Sequence, residues 1–321
     1  MIDAAAPIAQ KPAMSAIEVA AFYEFAALPH FADLREPIHA ACTANGVRGI
    51  CLLAPEGING TLAGSPEGLG AALAEMRALT GLILPHKSSF ADKIPFRSLR
   101  VRLKKEIVTL GEPAADPTKR VGTYVDPENW NALISDPDVL VLDTRNHFEV
   151  EVGTFQRAVD PMTKSFGQFP AFVRGNLDPG KHRRVAMFCT GGIRCEKASA
   201  FMLNEGFTEV FHLRGGILKY LETVPQEQSL WDGGCFVFDQ RTSVGHGLEV
   251  LPIRICTSCQ MPLTAEAIAA PGYEEGVSCP ACVGTRQESW VRGARERMRQ
   301  KRQGERMRAQ PQSSDRKPST R

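Results

Sequence analysis

The run Met187-Phe188-Cys189-Thr190-Gly191-Gly192-Ile193-Arg194-Cys195-Glu196-Lys197 constrains the fold more than any other part of the chain. An apolar segment, Arg184 to Phe188, ends in a cysteine. Two glycines and an arginine follow, and a helical pattern then runs from Cys195 to Asn204 and stops at Gly206. A short buried strand feeding a tight turn and a helix is the repeating unit of a parallel sheet with helices on both faces. The same order puts Cys189 beside a helix start, where unpaired backbone N–H groups form an anion cradle. Such dipoles, with an arginine nearby, lower a thiol from its ordinary pKa of about 8.5 towards the reactive thiolate. Cys189 is therefore expected to be a nucleophile, with Thr190, Gly191, Gly192, Ile193 and Arg194 as its loop. The competing reading is a buried cysteine that closes a core strand as a small hydrophobe.

Loop length discriminates further. Cys189 to Arg194 is Cys-x4-Arg, one residue shorter than the Cys-x5-Arg phosphate loop of tyrosine phosphatases. It resembles the six-residue loop of rhodaneses, which carry a sulfur atom on the cysteine as a persulfide. Two neighbouring segments have the order seen in that family. Val139-Leu140-Val141-Leu142-Asp143-Thr144-Arg145 is a buried strand ending in Asp-x-Arg, followed by Glu149, Gly153 and Ala158. Downstream, Glu209 to Leu213 is another strand, closed by Arg214-Gly215-Gly216-Ile217. The resemblance implies a rhodanese-like α/β domain with a parallel sheet over residues 121–225. Cys195 lies six residues past Cys189 at the start of the next helix. It is a candidate resolving thiol for a persulfide or disulfide, with simple packing as the other reading.

Cys256-Thr257-Ser258-Cys259 and Cys279-Pro280-Ala281-Cys282 are two Cys-x-x-Cys pairs with nineteen residues between them. That spacing suits a zinc ribbon, in which Cys256, Cys259, Cys279 and Cys282 give four thiolates to one tetrahedral ion. Such a site is closed, so the metal would be structural. A redox dithiol pair is the weaker alternative. Nine cysteines in 321 residues are too sparse for a disulfide scaffold, and their odd number fits a reducing, cytoplasmic setting. Cys42 and Cys51 fall in apolar patterns and read as core. Cys235 either packs or approaches the reactive loop, and His246 is the one histidine placed in a suggestive loop.

Residues 1–15 are small, contain proline and lack period, which reads as disorder. No basic segment there precedes an apolar core, and no apolar stretch nears the ~20 residues of a membrane span. From Ile17 the pattern is strand, helix (Leu34 to Asn45), two strands around Glu56-Gly57-Ile58-Asn59, helix (Glu67 to Leu79, closed by Gly81) and an alternating strand (Leu99 to Leu110). That is the order of a ferredoxin-like split βαβ sandwich, placed at residues 16–110. Residues 111–120 read as a linker, 226–285 as a cysteine-rich module and 286–321 as a basic tail. The tail holds 12 Lys/Arg against 4 Asp/Glu, leaving 26 against 32 in the rest of the chain. A basic tail on an acidic body is a candidate nucleic-acid contact, or simply a solvated segment.

Taken together, Leu52-Leu53-Ala54-Pro55-Glu56-Gly57-Ile58-Asn59-Gly60-Thr61-Leu62-Ala63-Gly64, the Cys189 loop, Gly234 to Asp239 and Val244 to Leu248 resemble the rhodanese-containing tRNA uridine hydroxylases. The resemblance covers residues 16–285. It implies an acylphosphatase-like N-terminal domain, a rhodanese domain and a cysteine-rich C-terminal region. It further implies oxygen-dependent hydroxylation of the wobble uridine of tRNA at C5, with molecular oxygen as co-substrate and Cys189 as the persulfide-bearing residue. The chain shows no flavin, dinucleotide or haem signature. Expected partners are tRNA and a sulfur donor, protein or small molecule, and no membrane. The rival enzymatic reading is a general sulfurtransferase that moves sulfur from thiosulfate or a persulfide without tRNA. A third is a non-catalytic RNA-binding adaptor.

Overall fold

A computed structural model describes residues 17–309 apart from Thr264, and forms two compact units that meet at Pro252 and Ile253. The disorder expected for residues 1–15 and the end of the basic tail lie outside the described residues.

The first unit opens with β1 (Ile17–Phe25), α1 (Arg35–Ala44), β2 (Arg48–Ala54), β3 (Gly57–Gly64), α2 (Pro66–Thr80), β4 (His86–Ala91) and β5 (Leu99–Leu103). These strands form one sheet in the order β4-β1-β3-β2-β5, antiparallel except for the β2–β5 edge pair. The start of α2 is set locally: Ser65 accepts a hydrogen bond from the Gly68 N–H at 3.1 Å and Pro66 fills the first turn. Its end is Gly81, at φ 71°. Strand period 2 then divides the sheet. Ala20 and Phe22 pack under Ile38 and Cys42 of α1 and Leu69, Leu73 and Met76 of α2. The alternate residues Ala21 and Tyr23 face the other way, into a cavity shared with the next domain.

Two expectations change here. The polar run His86–Ala91 is a strand that sequence period does not reveal, and it forms the β4 edge of the split βαβ fold. The strand expected over Leu99 to Leu110 ends at Leu103; Lys104 donates once more to Leu53 at 2.8 Å before the chain turns away.

The second domain of this unit runs β6 (Thr123–Val125), α3 (Pro127–Ser135), β7 (Val139–Asp143), α4 (His147–Val150), β8 (Gly153–Phe155), α5 (Phe169–Asn176), β9 (Arg184–Phe188), α6 (Ile193–Asn204), β10 (Glu209–Leu213) and α7 (Gly216–Thr223). Its parallel sheet has the order β6-β10-β9-β7. One face buries Leu142, Val185 and Met187 against Phe169, Phe201 and Met202 of α5 and α6. The other buries Val141, Ala186 and Phe188 against Trp130 of α3 and Tyr220 of α7. Phe155 centres an aromatic cluster, with ring centroids 4.8 Å from Phe188, 4.7 Å from Tyr220 and 5.0 Å from Trp231. Edge-to-face pairs add about 0.5–1.5 kcal/mol each beyond buried area. The residue immediately before Cys189 is thus fixed firmly.

Strands β11 (Trp231–Gly233), β12 (Cys235–Phe236) and β13 (Ser243–Val244) follow. The stretch from Trp231 to Val244 supplies Trp231, Cys235, Val237 and Val244 to this same core. Residues grouped with the cysteine module by sequence therefore belong physically to the parallel-sheet domain up to Pro252.

The second unit holds β14 (Arg254–Ile255), β15 (Pro262–Leu263), α8 (Ala265–Ala269) and α9 (Glu288–Ala309). Its small core is Cys256, Cys279, Cys282 and Leu263. The basic tail is helical through α9, where Ala294 is buried and Met298 lies over Gly276. Among the described residues no helix is long and apolar enough to cross a membrane.

Candidate active site

Cys189 ends β9 with its side chain buried, yet it lines a cavity of about 420 Å³. That cavity is walled on one side by the N-terminal sheet (Tyr23, Asn59, Thr61) and on the other by the Cys189 loop. Cys189 thus lies between the core of the parallel-sheet domain and the cavity wall.

The loop conformation follows from where its carbonyls go. Cys189 and Thr190 carbonyls accept from the Ile217 and Leu218 N–H groups at the start of α7, at 3.0 and 3.1 Å. The Gly191 carbonyl accepts from Lys87 Nζ at 2.5 Å. With three successive carbonyls tied outward, amides turn in, and Gly192 N–H donates to Cys189 Sγ at 3.1 Å. Two glycines make this possible. Gly192 has φ 107°, and a Cβ there would sit 2.8 Å from Tyr23 Oη; a Cβ on Gly216 would sit 2.5 Å from the Cys189 carbonyl.

Arg194 points back to Glu149, which is fully buried, in a two-pronged pair at 2.6 and 2.7 Å. Thr190 Oγ1 lies 3.4 Å from Glu149 and accepts from Arg194 at 3.3 Å. Glu149 is itself delivered by the Asp143-x-Arg145 turn. The Arg145 guanidinium is held by Asp143 at 2.6 Å and donates to the Glu149 and Gly153 carbonyls at 3.2 and 2.6 Å. Burial alone would push the Glu149 carboxyl up, but Arg194 and Arg145 hold it below the usual carboxylate range.

The same balance applies to sulfur. Burial would raise the Cys189 thiol, but a hydrogen bond from the Cys195 side chain, the Arg194 charge and the Cys195 and Gly192 amides together lower it well below a free thiol. Cys195, buried beside it with Thr144 Oγ1 at 3.5 Å, is pushed up, first by burial and then by the charge on Cys189. A thiol with a depressed pKa beside one that stays protonated suits persulfide chemistry: Cys189 can attack the outer sulfur of a donor, whose thiolate leaves, and Cys195 can protonate the leaving group or attack the Cys189 persulfide to give a disulfide and hydrosulfide. Cys235 packs in the core, where burial pushes it up to about 12.

Several side chains at this site carry no motif. Tyr23 Oη donates to Glu196 at 2.8 Å. Lys197, whose side chain is 2% exposed, reaches Glu56 at 2.9 Å, Glu106, and the Val108 carbonyl at 3.1 Å. Arg241 forms a fork with Asp239 at 2.6 Å and bonds Ser89 at 2.7 Å. Tyr23 and Lys197 join the N-terminal sheet, or the segment after it, to the helix that follows the reactive loop, whereas Arg241 joins β4 to the segment around Asp239.

In the second unit the four thiols predicted as ligands do converge. Their sulfur atoms all lie within 4.8 Å of one another, with Cys256–Cys282 at 3.8 Å, Cys259–Cys279 at 3.5 Å and Cys279–Cys282 at 3.9 Å. No cysteine is in a disulfide. Tetrahedral metal–thiolate bonds of about 2.3 Å separate the sulfurs by roughly 3.8 Å, so the cluster fits one ion.

Two family models match the chain: a UPF0176 acylphosphatase like domain over residues 17–107 and a rhodanese-like domain over 126–223. Curated relatives match across both. Proteins named tRNA uridine(34) hydroxylase are 56% identical over 271 residues in Sinorhizobium medicae, covering 84% of this chain and 86% of that one, and 57% identical over 271 residues in Rhizobium etli, covering 84% and 88%. The chain belongs to the tRNA uridine(34) hydroxylase family. A further member, from Agrobacterium fabrum, is 54% identical over 285 residues, 88% of this chain and 90% of its own. Fold and family agree: in this chain the acylphosphatase-like match includes Tyr23 and Lys87, and the rhodanese-like match includes Glu149, Cys189 and Arg194.

Proposed function

We propose that this chain hydroxylates the wobble uridine of tRNA at C5, giving 5-hydroxyuridine, and that Cys189 is the reactive thiol. The observation that carries this reading is a cysteine with an amide and an arginine in its loop, lining a two-walled cavity, in a chain whose relatives, more than half identical, bear that activity in their names. A volume of about 420 Å³ lies in the range of small-ligand pockets and takes a single nucleobase. Anticodon loops present unstacked bases that can enter such a pocket.

In this reading Gly192, Arg194 and the Cys195 thiol keep Cys189 as thiolate or persulfide, and Cys195 resolves it. Molecular oxygen is the co-substrate, and a donor that already carries sulfane sulfur, a protein persulfide or a small molecule such as thiosulfate, passes it to the Cys189 thiolate and leaves as its thiol or as sulfite. Cys256, Cys259, Cys279 and Cys282 hold one zinc ion, which crosslinks the C-terminal unit and leaves the chemistry to the first unit. The acylphosphatase-like and rhodanese-like domains form the two walls of the site. Exposed arginines of α9 contact RNA phosphates, the term that dominates non-specific affinity. The setting is the cytoplasm.

The test is the nucleoside content of tRNA from a deletion strain complemented with the wild-type chain or with Cys189→Ala. 5-Hydroxyuridine is expected with the first and absent with the second. Equal levels would overturn the reading. Turnover of thiosulfate and cyanide by the purified chain, alongside normal hydroxyuridine in the deletion strain, would establish the sulfurtransferase instead.

A further inference from the structure

The cavity holds a cation without a counter-ion. Arg194 is claimed by Glu149 and Arg241 by Asp239, and Lys104 is exposed. Lys87 differs from all three. It is half-buried, it lines the cavity, and among the described residues no carboxylate comes within 4.0 Å of it. Its Nζ spends one donor on the Gly191 carbonyl at 2.5 Å and sits 5.7 Å from the Tyr23 ring centroid. An ammonium has three donors and no acceptor. Two are therefore left at the rim of the reactive loop, on an edge strand that the other domain cannot supply. Withdrawing a cation from water without pairing it is costly unless a ligand completes it. Burial indeed lowers the Lys87 pKa; Cys189, Glu196 and Glu222 oppose that and Lys219 adds to it. At the same cavity Phe238 is 63% exposed, offering a flat aromatic face of the kind on which bases stack.

We propose that Lys87 is the specificity-determining residue for the base: one of its two unspent N–H donors bonds the 4-carbonyl oxygen of a uracil ring seated over Cys189. The proposal rests on the reading that a pyrimidine enters this cavity. Uracil presents an acceptor at position 4, which satisfies the ammonium. Cytosine presents an amino group there, which sets donor against donor. Sites built around one hydrogen-bonding polarity reject the opposite one strongly, because the buried group is left unpaired.

The experiment measures binding of the full-length chain to two anticodon stem–loops that differ only in uridine or cytidine at the wobble position. The wild type should prefer the uridine stem–loop by about tenfold or more, the worth of a hydrogen bond to a charged group. Lys87→Met should abolish the preference by weakening the uridine stem–loop alone, and Lys87→Arg should keep most of it. The rate at which iodoacetamide alkylates Cys189 in Lys87→Met reports whether the loop itself is intact. A variant that loses both stem–loops equally and alkylates abnormally would show that Lys87 only braces Gly191, which overturns the inference. So would an unchanged preference. Either result leaves the hydroxylase reading standing if Cys189→Ala still abolishes 5-hydroxyuridine in cells.

Discussion

Cys189 and three of the four C-terminal thiols, Cys256, Cys279 and Cys282, are alike in burial and unlike in company. Cys189 ends a strand, faces amides and a guanidinium, and looks into a cavity. The four C-terminal sulfurs face one another at metal-binding separations. Burial therefore does not decide what a cysteine does here; the atoms around the sulfur do. Dipoles and one cation favour a thiolate, and converging sulfurs suit one metal ion.

The sharpest way to break that contrast is to exchange the phenotypes. Cys189→Ala should remove all activity while leaving the melting temperature within a few degrees. Cys256→Ser with Cys279→Ser should do the opposite first. Bound metal should fall from one ion per chain to none, and amides of the second unit should lose hydrogen-exchange protection while β9 keeps it. Structural zinc in small modules is worth on the order of 10 kcal/mol or more of folding free energy, so the loss is large. Protection of the second unit that survives metal removal would show that its small core stands without the ion.

How much of this the sequence reveals depends on whether the partners are near neighbours in the chain. The Cys189 loop is legible because strand, turn and helix are consecutive, and the Cys-x-x-Cys pairs are legible because each knuckle is local. Glu149 is legible only as part of a family-like order; its pairing with Arg194 needs the turn built by Asp143 and Arg145. Tyr23 and Lys87 are illegible. They reach the loop through the pairing of β1 with β4, and β4 is a polar edge strand with no alternation to mark it. Leu99 to Leu110 misleads for a related reason. Its second half leaves the sheet so that Glu106 and the Val108 carbonyl can hold Lys197.

A smaller effect should separate the ion pair behind the loop from the sulfur in front of it. Glu149→Gln removes the charge that faces both Arg194 and Arg145, leaving two guanidinium groups without their buried carboxylate. Breaking one partner of a buried pair costs about 3–5 kcal/mol, read as a shift of the urea midpoint at unchanged slope. The fall should be several times larger than that of an exposed control such as Lys219→Gln, which disrupts a surface pair worth less than about 1 kcal/mol. Equal losses would mean that the Arg194 fork is ornamental.

The finest comparison is between two thiols in one pocket. The Cys189 pKa lies below that of an unfolded thiol, so its ionisation contributes stability that is complete above about pH 8.5 and is lost as pH falls through the depressed value. Alkylation of Cys189 should instead follow the folded-state ionisation alone, already near its plateau at neutral pH and declining only in the acidic range. Cys195→Ala deletes the S–H that donates to Cys189 and leaves Arg194 and the amides in place. The alkylation midpoint should then rise by about one pH unit, the equivalent of one modest hydrogen bond. Cys235→Ala should not move it, because that sulfur packs in the core with its thiol pushed up to about 12. If Cys195→Ala leaves the midpoint where it was, the neighbouring thiol plays no part in holding the charge. The cradle would then consist of Arg194 and the loop amides alone, and the contrast with the C-terminal cluster would rest on dipoles rather than on a second sulfur.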